Sequence, residues 1–98
     1  MYSRLEAFAG DDVDLMCNAS LTSKMMWTHD TDDGYVDYIY WNGRTVNQSR
    51  LHVSTTSLAS VSHTLIISGA KLSDTGPYDC YDGNGLRRVG YQLIIVGM

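Results

Sequence analysis

The chain has 98 residues, of which 44% are apolar and 18% are charged, and its formal net charge is -4. This length suits one domain, and so small a charged fraction argues against a disordered chain. The acidic balance excludes the usual nucleic-acid-binding protein, because apart from Arg87–Arg88 the basic residues are scattered. We therefore expect a single globular domain, residues 1–98, with no nucleic acid as a partner.

We expect no targeting signal at the start of this sequence. Met1–Tyr2 leads directly into a patterned segment, without the apolar run of a signal peptide. No apolar run approaches the roughly 20 residues that a membrane-spanning helix needs. We expect a domain excised from a longer parent chain, whose signal and any membrane anchor lie elsewhere.

Short extended segments make up the first half of the chain. In DVDLMC, Val13, Leu15 and Cys17 alternate with residues of the opposite face, as in a strand with one buried side. KMMWTH carries Trp27, and YVDYIYW is rich in strand-forming residues. The latter ends at Asn42–Gly43, a dipeptide typical of two-residue hairpin turns.

The second half continues in the same manner with RLHVSTT, SHTLIIS, YDCY and YQLIIV. Turn residues separate these segments, and the only helical hint is a single turn near residues 71–74. No window of 11 residues shows helical periodicity. Eight or nine short strands with turns between them predict an all-β sandwich or barrel.

Cys17 and Cys80 are the two cysteines of the chain. Neither belongs to a CxxC or Cys/His cluster, so we expect no zinc site. The residues alone leave two alternatives open: buried thiols in a cytosolic protein, or one long-range disulfide in a secreted one. Asn18 and Asn47 each begin an N-x-[ST] sequon, and these candidate glycosylation sites add slight weight to the secreted alternative.

Metal binding and catalysis find little support in the sequence. The acidic segment His29–Gly34 lacks the glycine and glutamate that an EF-hand loop requires at positions 6 and 12, which favours an acidic turn. There is no GxSxG motif, and a hydrolase would need a nucleophile, a base and an acid in one cleft. We expect no enzyme, no metal and no other cofactor.

One constellation is more specific than these patterns. Trp27 follows Cys17 by ten residues, and Tyr78 lies two residues before Cys80 in LSDTGPYDCY. The set resembles the framework of the immunoglobulin superfamily. AGDDVDLMC is similar to the A′–B region, MMWTH to strand C, and LIISGAKLSDTGPYDC to strands E and F, so the resemblance covers essentially the whole chain. The long stretch after Trp27 leaves room for extra strands, which favours the variable type (V-set).

This resemblance implies a definite architecture. The expected fold is all-β, an immunoglobulin-like β-sandwich of the V-set type, with two antiparallel sheets joined by a Cys17–Cys80 disulfide. Trp27 would pack against the disulfide, and the Tyr78 hydroxyl would bond back to the chain at the corner before its strand. The family pattern also implies that Arg50 forms an ion pair with Asp74 that closes one end of the sandwich.

Three features depart from the pattern of antigen receptors. Antigen-receptor domains usually begin strand G with Gly-x-Gly. Here only the second glycine, Gly90, is present, and Arg88 occupies the place of the first. Pro77 replaces the usual small residue before the corner tyrosine, and the last loop, over about residues 82–89, is short. These features point to a germline-encoded receptor, an adhesion molecule, an invertebrate relative or a viral copy.

The resemblance also implies a function. V-set domains commonly bind each other through the sheet that carries strands G, F, C, C′ and C″. We expect an extracellular or cell-surface module whose protein partner is another immunoglobulin domain or a second copy of the chain. The residues expected to face outward and bind it are Met26, Thr28, Tyr40, Tyr81, Gln92 and Ile94, with Arg87 and Arg88 at a hairpin tip, where they can pair with a partner's acidic groups.

Two alternatives stay open at this point. An immune-type V domain would recognise a non-self protein or glycan through its end loops, where Arg87 and Arg88 are placed. A structural spacer in a longer extracellular chain would bind nothing. The fold alone does not choose between them.

Overall fold

The computed structural model describes residues 2–18, 26–30, 36–41, 44–45, 51–57, 61–82 and 85–97. Within these ranges the chain forms nine strands and one short 3-10 turn. The strands are β1 (Ser3–Phe8), β2 (Val13–Leu15), β3 (Met26–Asp30), β4 (Val36–Trp41), β5 (Arg44–Thr45), β6 (Leu51–Ser57), β7 (Val61–Ile67), β8 (Gly76–Tyr81) and β9 (Arg87–Val96), and the turn is Leu72–Asp74.

The strands form two sheets. The larger sheet has the order β1-β9-β8-β3-β4-β5, and the smaller sheet has the order β2-β7-β6. The hairpin predicted at residues 42–43 joins β4 and β5, which pair Trp41 with Arg44, although the two turn residues themselves lie outside the described ranges. The prediction of an all-β domain with two sheets is confirmed.

The expectation that both sheets are antiparallel is wrong for one pair. β1 and β9 run in the same direction, with Ser3 beside Tyr91 and Phe8 beside Val96. The chain passes from β1 into the smaller sheet rather than folding back in a hairpin, so no turn forces the two strands to oppose each other. The larger sheet is therefore mixed, with a parallel pair at its edge.

Alternation of apolar and polar residues places one side of each sheet in the core. Val13 and Leu15 of β2 are buried opposite Ile67 and Leu65 of β7, whereas Asp14 between them is exposed. Burying an aliphatic side chain of this kind stabilises a fold by about 1.5–3 kcal/mol. The remaining buried apolar residues of the core are Cys17, Trp27, Leu51, Ala70, Tyr78, Cys80, Leu93 and Ile95.

A disulfide passes through this core and joins the two sheets. Cys17 follows β2 in the smaller sheet, and Cys80 lies in β8 of the larger sheet, with their Cα atoms 6.4 Å apart. Trp27 lies directly across from Cys80 on the neighbouring strand, and all three residues are buried. The predicted disulfide is confirmed.

Tyr91 provides a second connection between the sheets. Its ring stacks on Trp27, with the ring centroids 6.3 Å apart, and its hydroxyl donates a hydrogen bond of 2.6 Å to the carbonyl oxygen of Met16. Because Met16 immediately precedes Cys17, this hydrogen bond and the disulfide restrain adjoining residues. The end of β2 is thus fixed to both β8 and β9.

Tyr78 closes the corner that leads into β8. Its side chain is fully buried, and its hydroxyl donates a hydrogen bond of 2.7 Å to the carbonyl oxygen of Asp74. The Asp74 carboxylate accepts a 2.8 Å hydrogen bond from the backbone N–H of Lys71, which closes the 3-10 turn. Arg50 lies outside the described residues, so its ion pair with Asp74 stays a prediction.

Removing the disulfide should destabilise the domain strongly. Cys17 and Cys80 are 63 positions apart, and the loop-entropy estimate for a cross-link of that length is about 4 kcal/mol. We expect the double variant Cys17→Ala, Cys80→Ala to lose most of its free energy of unfolding in urea denaturation followed by tryptophan fluorescence. Titration of two free thiols in the native protein would contradict the pairing itself.

Tyr78→Phe should cost about 1–3 kcal/mol, because it leaves the carbonyl oxygen of Asp74 without its buried donor. Tyr91→Phe is the matched control. It removes the hydroxyl that bonds Met16 at a more exposed position, so we expect a loss of about 1 kcal/mol or less. Chemical denaturation measures the loss of unfolding free energy in both variants. Equal losses would show that the Tyr78 hydrogen bond stabilises the domain no more than the Tyr91 hydrogen bond does.

Candidate functional site

The candidate site is the outer face of the larger sheet, formed by the side chains of β3, β8 and β9 that point away from the core. Strand alternation sets this face, because Trp27, Cys80 and Leu93 point inward and their neighbours point outward. Met26 lies beside Tyr81 across β3 and β8. The outward positions of the three strands include Met26, Thr28, Asp79, Tyr81, Gln92 and Ile94.

These residues differ in how much of each side chain is exposed to a partner. Met26, Tyr81, Gln92 and Ile94 are partly buried, so part of each side chain remains accessible. Thr28 is only 3% exposed, and the expectation that it contacts a partner is wrong. It pairs with Asp79, itself only 4% exposed, and the two lie side by side where neighbouring strands leave no space for solvent.

Asp79 is the centre of a polar cluster on this face. Its Oδ1 accepts a hydrogen bond of 2.6 Å from Nε of Arg87, and its Oδ2 accepts one of 3.0 Å from the hydroxyl of Tyr2. The Arg87 guanidinium also lies 4.5 Å from the centre of the Tyr2 ring, a cation–π geometry. Three side chains from three strands or strand ends thus hold one another in place.

Gly90 makes room for this cluster. A Cβ atom at this position would lie 1.7 Å from Nη2 of Arg87 and 2.8 Å from Cδ1 of Tyr2. Glycine leaves the space that the Arg87 guanidinium and the Tyr2 ring occupy, so a side chain at this position would force both groups to move. The glycine identified in the sequence as the remnant of a family motif thus has a steric role in this chain.

Both titratable partners of Asp79 have shifted pKa values. The hydrogen bond to Asp79 raises the pKa of Arg87, which stays charged. Burial, followed by the hydrogen bond to Asp79, raises the pKa of Tyr2, which stays neutral. The carboxylate and the guanidinium offset each other, so the cluster presents little net charge to a partner.

The sequence predicts that Arg87 and Arg88 project from a hairpin tip. The structure shows that they do not. Both lie in β9, and Arg87 pairs within the chain with Asp79, while Nη1 of Arg88 lies 3.9 Å from a carboxylate oxygen of Asp82. An irregularity after Cys80 shifts the register of β8 against β9 and places Arg87 beside Tyr81. The loop therefore ends earlier than predicted, and the arginines reach acids of their own chain.

The turn between β8 and β9 is braced by Asp82. The backbone N–H of Asp82 donates to the carbonyl of Leu86 at 2.9 Å, and the Asp82 carboxylate accepts the N–H of Leu86 at 3.0 Å. Gly85 has a φ of 81°, which glycine adopts without steric cost. The turn presents Leu86 with 62% of its surface exposed.

The remaining predicted site residues lie elsewhere. Tyr40 lies opposite Trp27 and Thr45 in the larger sheet, and its side chain is outside the described part of the structure. Asn18 is exposed at the end of the smaller sheet's first strand, and Asn47 is not among the described residues. In the ranges that the structure describes, no helix is long and apolar enough to cross a membrane, and no three His, Cys, Asp or Glu side chains cluster as metal ligands would.

Sequence reasoning missed Tyr2 as a member of this site. Tyr2 and Asp79 are 77 positions apart, and only the parallel pairing of β1 with β9 brings them together. No local pattern around residue 2 signals such a contact. Tyr2 could have been identified only by predicting that the first strand pairs in parallel with the last.

Comparison with known proteins adds no identity to these observations. No protein-family model matches the chain, and no curated protein matches it in sequence. The function is therefore inferred from the chain's own residues and geometry.

Gly90→Ala should cost about 1–3 kcal/mol, because the added methyl group displaces the Arg87 guanidinium from Asp79. In an Arg87→Ala background the same change should cost less, with a coupling free energy of about 1 kcal/mol in the double-mutant cycle. Gly97→Ala is the control, since a Cβ there meets nothing within 4 Å. Strict additivity of the two changes in urea denaturation would show that the guanidinium does not occupy this position.

Proposed function

We propose that this chain is an immunoglobulin-like domain of the V-set type that acts as an extracellular protein-recognition module. Its binding surface is the outer face of the larger sheet, and its partner is another immunoglobulin domain or a second copy of the chain. The strand order β1-β9-β8-β3-β4-β5 supports the V-set type, because variable-type domains add strands to the sheet that carries C, F and G. The proposal includes no catalysis and no cofactor.

The disulfide supports an extracellular setting. Disulfides persist in oxidising compartments and are rare in the cytosol. The Cys17–Cys80 bond is buried between the sheets, so it contributes to the fold rather than being a reactive surface pair. A domain of this size gains from such a bond, because small domains bury a limited apolar area.

The observation that carries the proposal is the pairing of the Asp79 carboxylate within the chain, on the outer face of the larger sheet. A partner that covers an unpaired carboxylate must remove its water at a high cost in free energy. Asp79 already bonds to Arg87 and Tyr2, so a partner that covers this carboxylate leaves it paired. The cluster is also held in place before binding, which reduces the entropy lost on association.

Apolar and aromatic groups surround this neutral centre. Met26, Tyr81 and Ile94 are partly accessible, and methionine and aromatic residues are enriched at protein interfaces. At the far end of the same sheet, Phe8 of β1 lies beside Val96 of β9, and both side chains are exposed. Exposed apolar side chains therefore occur at this end of the sheet as well, next to the exposed Arg4–Glu6 ion pair.

Recognition of a non-self protein or glycan through the end loops is the second candidate. It is supported by the braced turn that presents Leu86. A rigid turn with an exposed apolar side chain can insert into a partner's pocket at low entropic cost. This candidate places the main contact at the end of the sandwich rather than on the sheet.

Variants with one added charge test the two candidates. Ile94→Glu or Tyr81→Glu should weaken binding at least tenfold, about 1.4 kcal/mol, because each places a carboxylate in the contact. Met16→Glu is the matched control on the other sheet, and Leu86→Asp reports on the turn. The measurements are sedimentation equilibrium of each variant and binding of the multimerised domain to an array of extracellular immunoglobulin domains.

The pattern of losses identifies the surface. Loss in Ile94→Glu with retention in Met16→Glu and Leu86→Asp supports the outer face of the larger sheet. Loss confined to Leu86→Asp would support the end loops instead. A domain that stays monomeric at millimolar concentration and binds nothing on the array would contradict both and favour a spacer.

A further inference from the structure

Asn18 lies on the side of the domain opposite the proposed binding surface. Along β2 and the residues on either side of it, inward and outward residues alternate without interruption from residue 12 to residue 18. The alternation continues beyond the end of β2 because the carbonyl oxygen of Cys17 accepts a 2.8 Å hydrogen bond from the N–H of His63. Val13, Leu15 and Cys17 are buried, and Asp12, Asp14, Met16 and Asn18 are exposed.

The backbone that carries Asn18 is restrained. Cys17 is held by the disulfide and by the hydrogen bond from His63, and the Met16 carbonyl accepts the hydroxyl of Tyr91 at 2.6 Å. These contacts set the direction in which the exposed Asn18 side chain leaves the sheet. A large group on its amide nitrogen would extend into solvent and displace no core side chain.

We propose that Asn18 carries an N-linked glycan, and that this glycan covers the outer face of the smaller sheet and leaves the larger sheet as the protein-binding side. The sequence supplies the required hydroxyl residue, Ser20, which lies outside the described residues. The inference rests on the extracellular setting and the binding surface proposed above, and it holds whichever protein the domain binds.

The chemistry requires one co-reactant, a lipid-linked oligosaccharide. The amide nitrogen of Asn18 forms a C–N bond to the anomeric carbon of the sugar, and the bond from that carbon to the lipid pyrophosphate breaks. The pyrophosphate leaves as an anion, and the amide nitrogen loses one proton. A folded domain accepts the product only where the asparagine faces solvent, and the structure places Asn18 so.

Met16 gives the glycan a measurable effect. It precedes Asn18 by one outward position on the same face, and 57% of its side chain is exposed. A bulky hydrophilic group attached at Asn18 would shield this apolar side chain from solvent. Met26, on the outer face of the larger sheet, is the reference methionine for the comparison.

The first experiment measures occupancy. The chain is secreted from an animal cell line behind a signal peptide, and its intact mass is compared with that of Asn18→Gln, Ser20→Ala and Asn47→Gln. We expect a glycan mass that is lost in the first two variants and kept in the third. Enzymatic deglycosylation in ¹⁸O-water should mark residue 18 as the converted asparagine. An unmodified Asn18 in disulfide-bonded, secreted wild-type protein overturns the proposal, whatever the variants do.

The second experiment measures shielding. Hydrogen peroxide oxidation of Met16 and Met26 is followed by peptide mass spectrometry in the glycosylated protein and in Ser20→Ala. We expect Met16 to oxidise severalfold more slowly in the glycosylated protein, and Met26 to oxidise equally in both. Equal Met16 rates would refute the covering of this face. Neither result depends on Ile94→Glu, so failure here and failure of the proposed binding surface are distinguishable.

Discussion

A single covalent bond through the core fixes which side of each strand faces solvent. Cys17 and Cys80 must both point inward for their sulfur atoms to meet, and Trp27 faces the same way on the strand beside Cys80. Because side chains alternate along a strand, a shift of one residue would invert the whole face. The bond therefore fixes which side of β2 and of β8 faces the core beside Cys17 and Cys80.

The same constraint gives the two outer faces different characters. On the larger sheet, the Asp79 carboxylate is satisfied within the chain by Arg87 and Tyr2, and apolar side chains lie around it. On the smaller sheet, the outward row is acidic apart from Met16 and ends at Asn18. A carboxylate that is already paired within the chain costs less free energy to cover than one that is exposed and hydrated.

Local patterns in the sequence predicted much of the fold, because they depend on neighbours a few residues apart. Alternation identified the strands of the core, and Asn42–Gly43 marked the hairpin between β4 and β5. The spacing of Cys17, Trp27 and Cys80, through its family resemblance, predicted the disulfide that the structure contains. In each of these cases the signal lies in residue type and spacing alone.

The candidate site was predicted less well, because it depends on contacts between distant parts of the chain. Alternation placed Thr28 outward correctly but could not show that it is covered. Arg87 and Arg88 were predicted to pair with acidic residues of a partner. The shifted register of β8 and β9 instead brings them close to Asp79 and Asp82 of the same chain. The steric need for Gly90 depends on the rotamer of Arg87, which no sequence pattern encodes.

The parallel pairing of the first and last strands has a consequence for biosynthesis. Among the described residues, Ser3–Phe8 pairs only with β9, so this pairing must wait until the last strand of the domain has emerged from the ribosome. Bringing such remote segments together carries a high entropic cost and tends to slow folding. The thiols, by contrast, need only the chain up to Cys80, so they can meet before all of β9 has emerged from the ribosome, and oxidation can precede completion of the larger sheet.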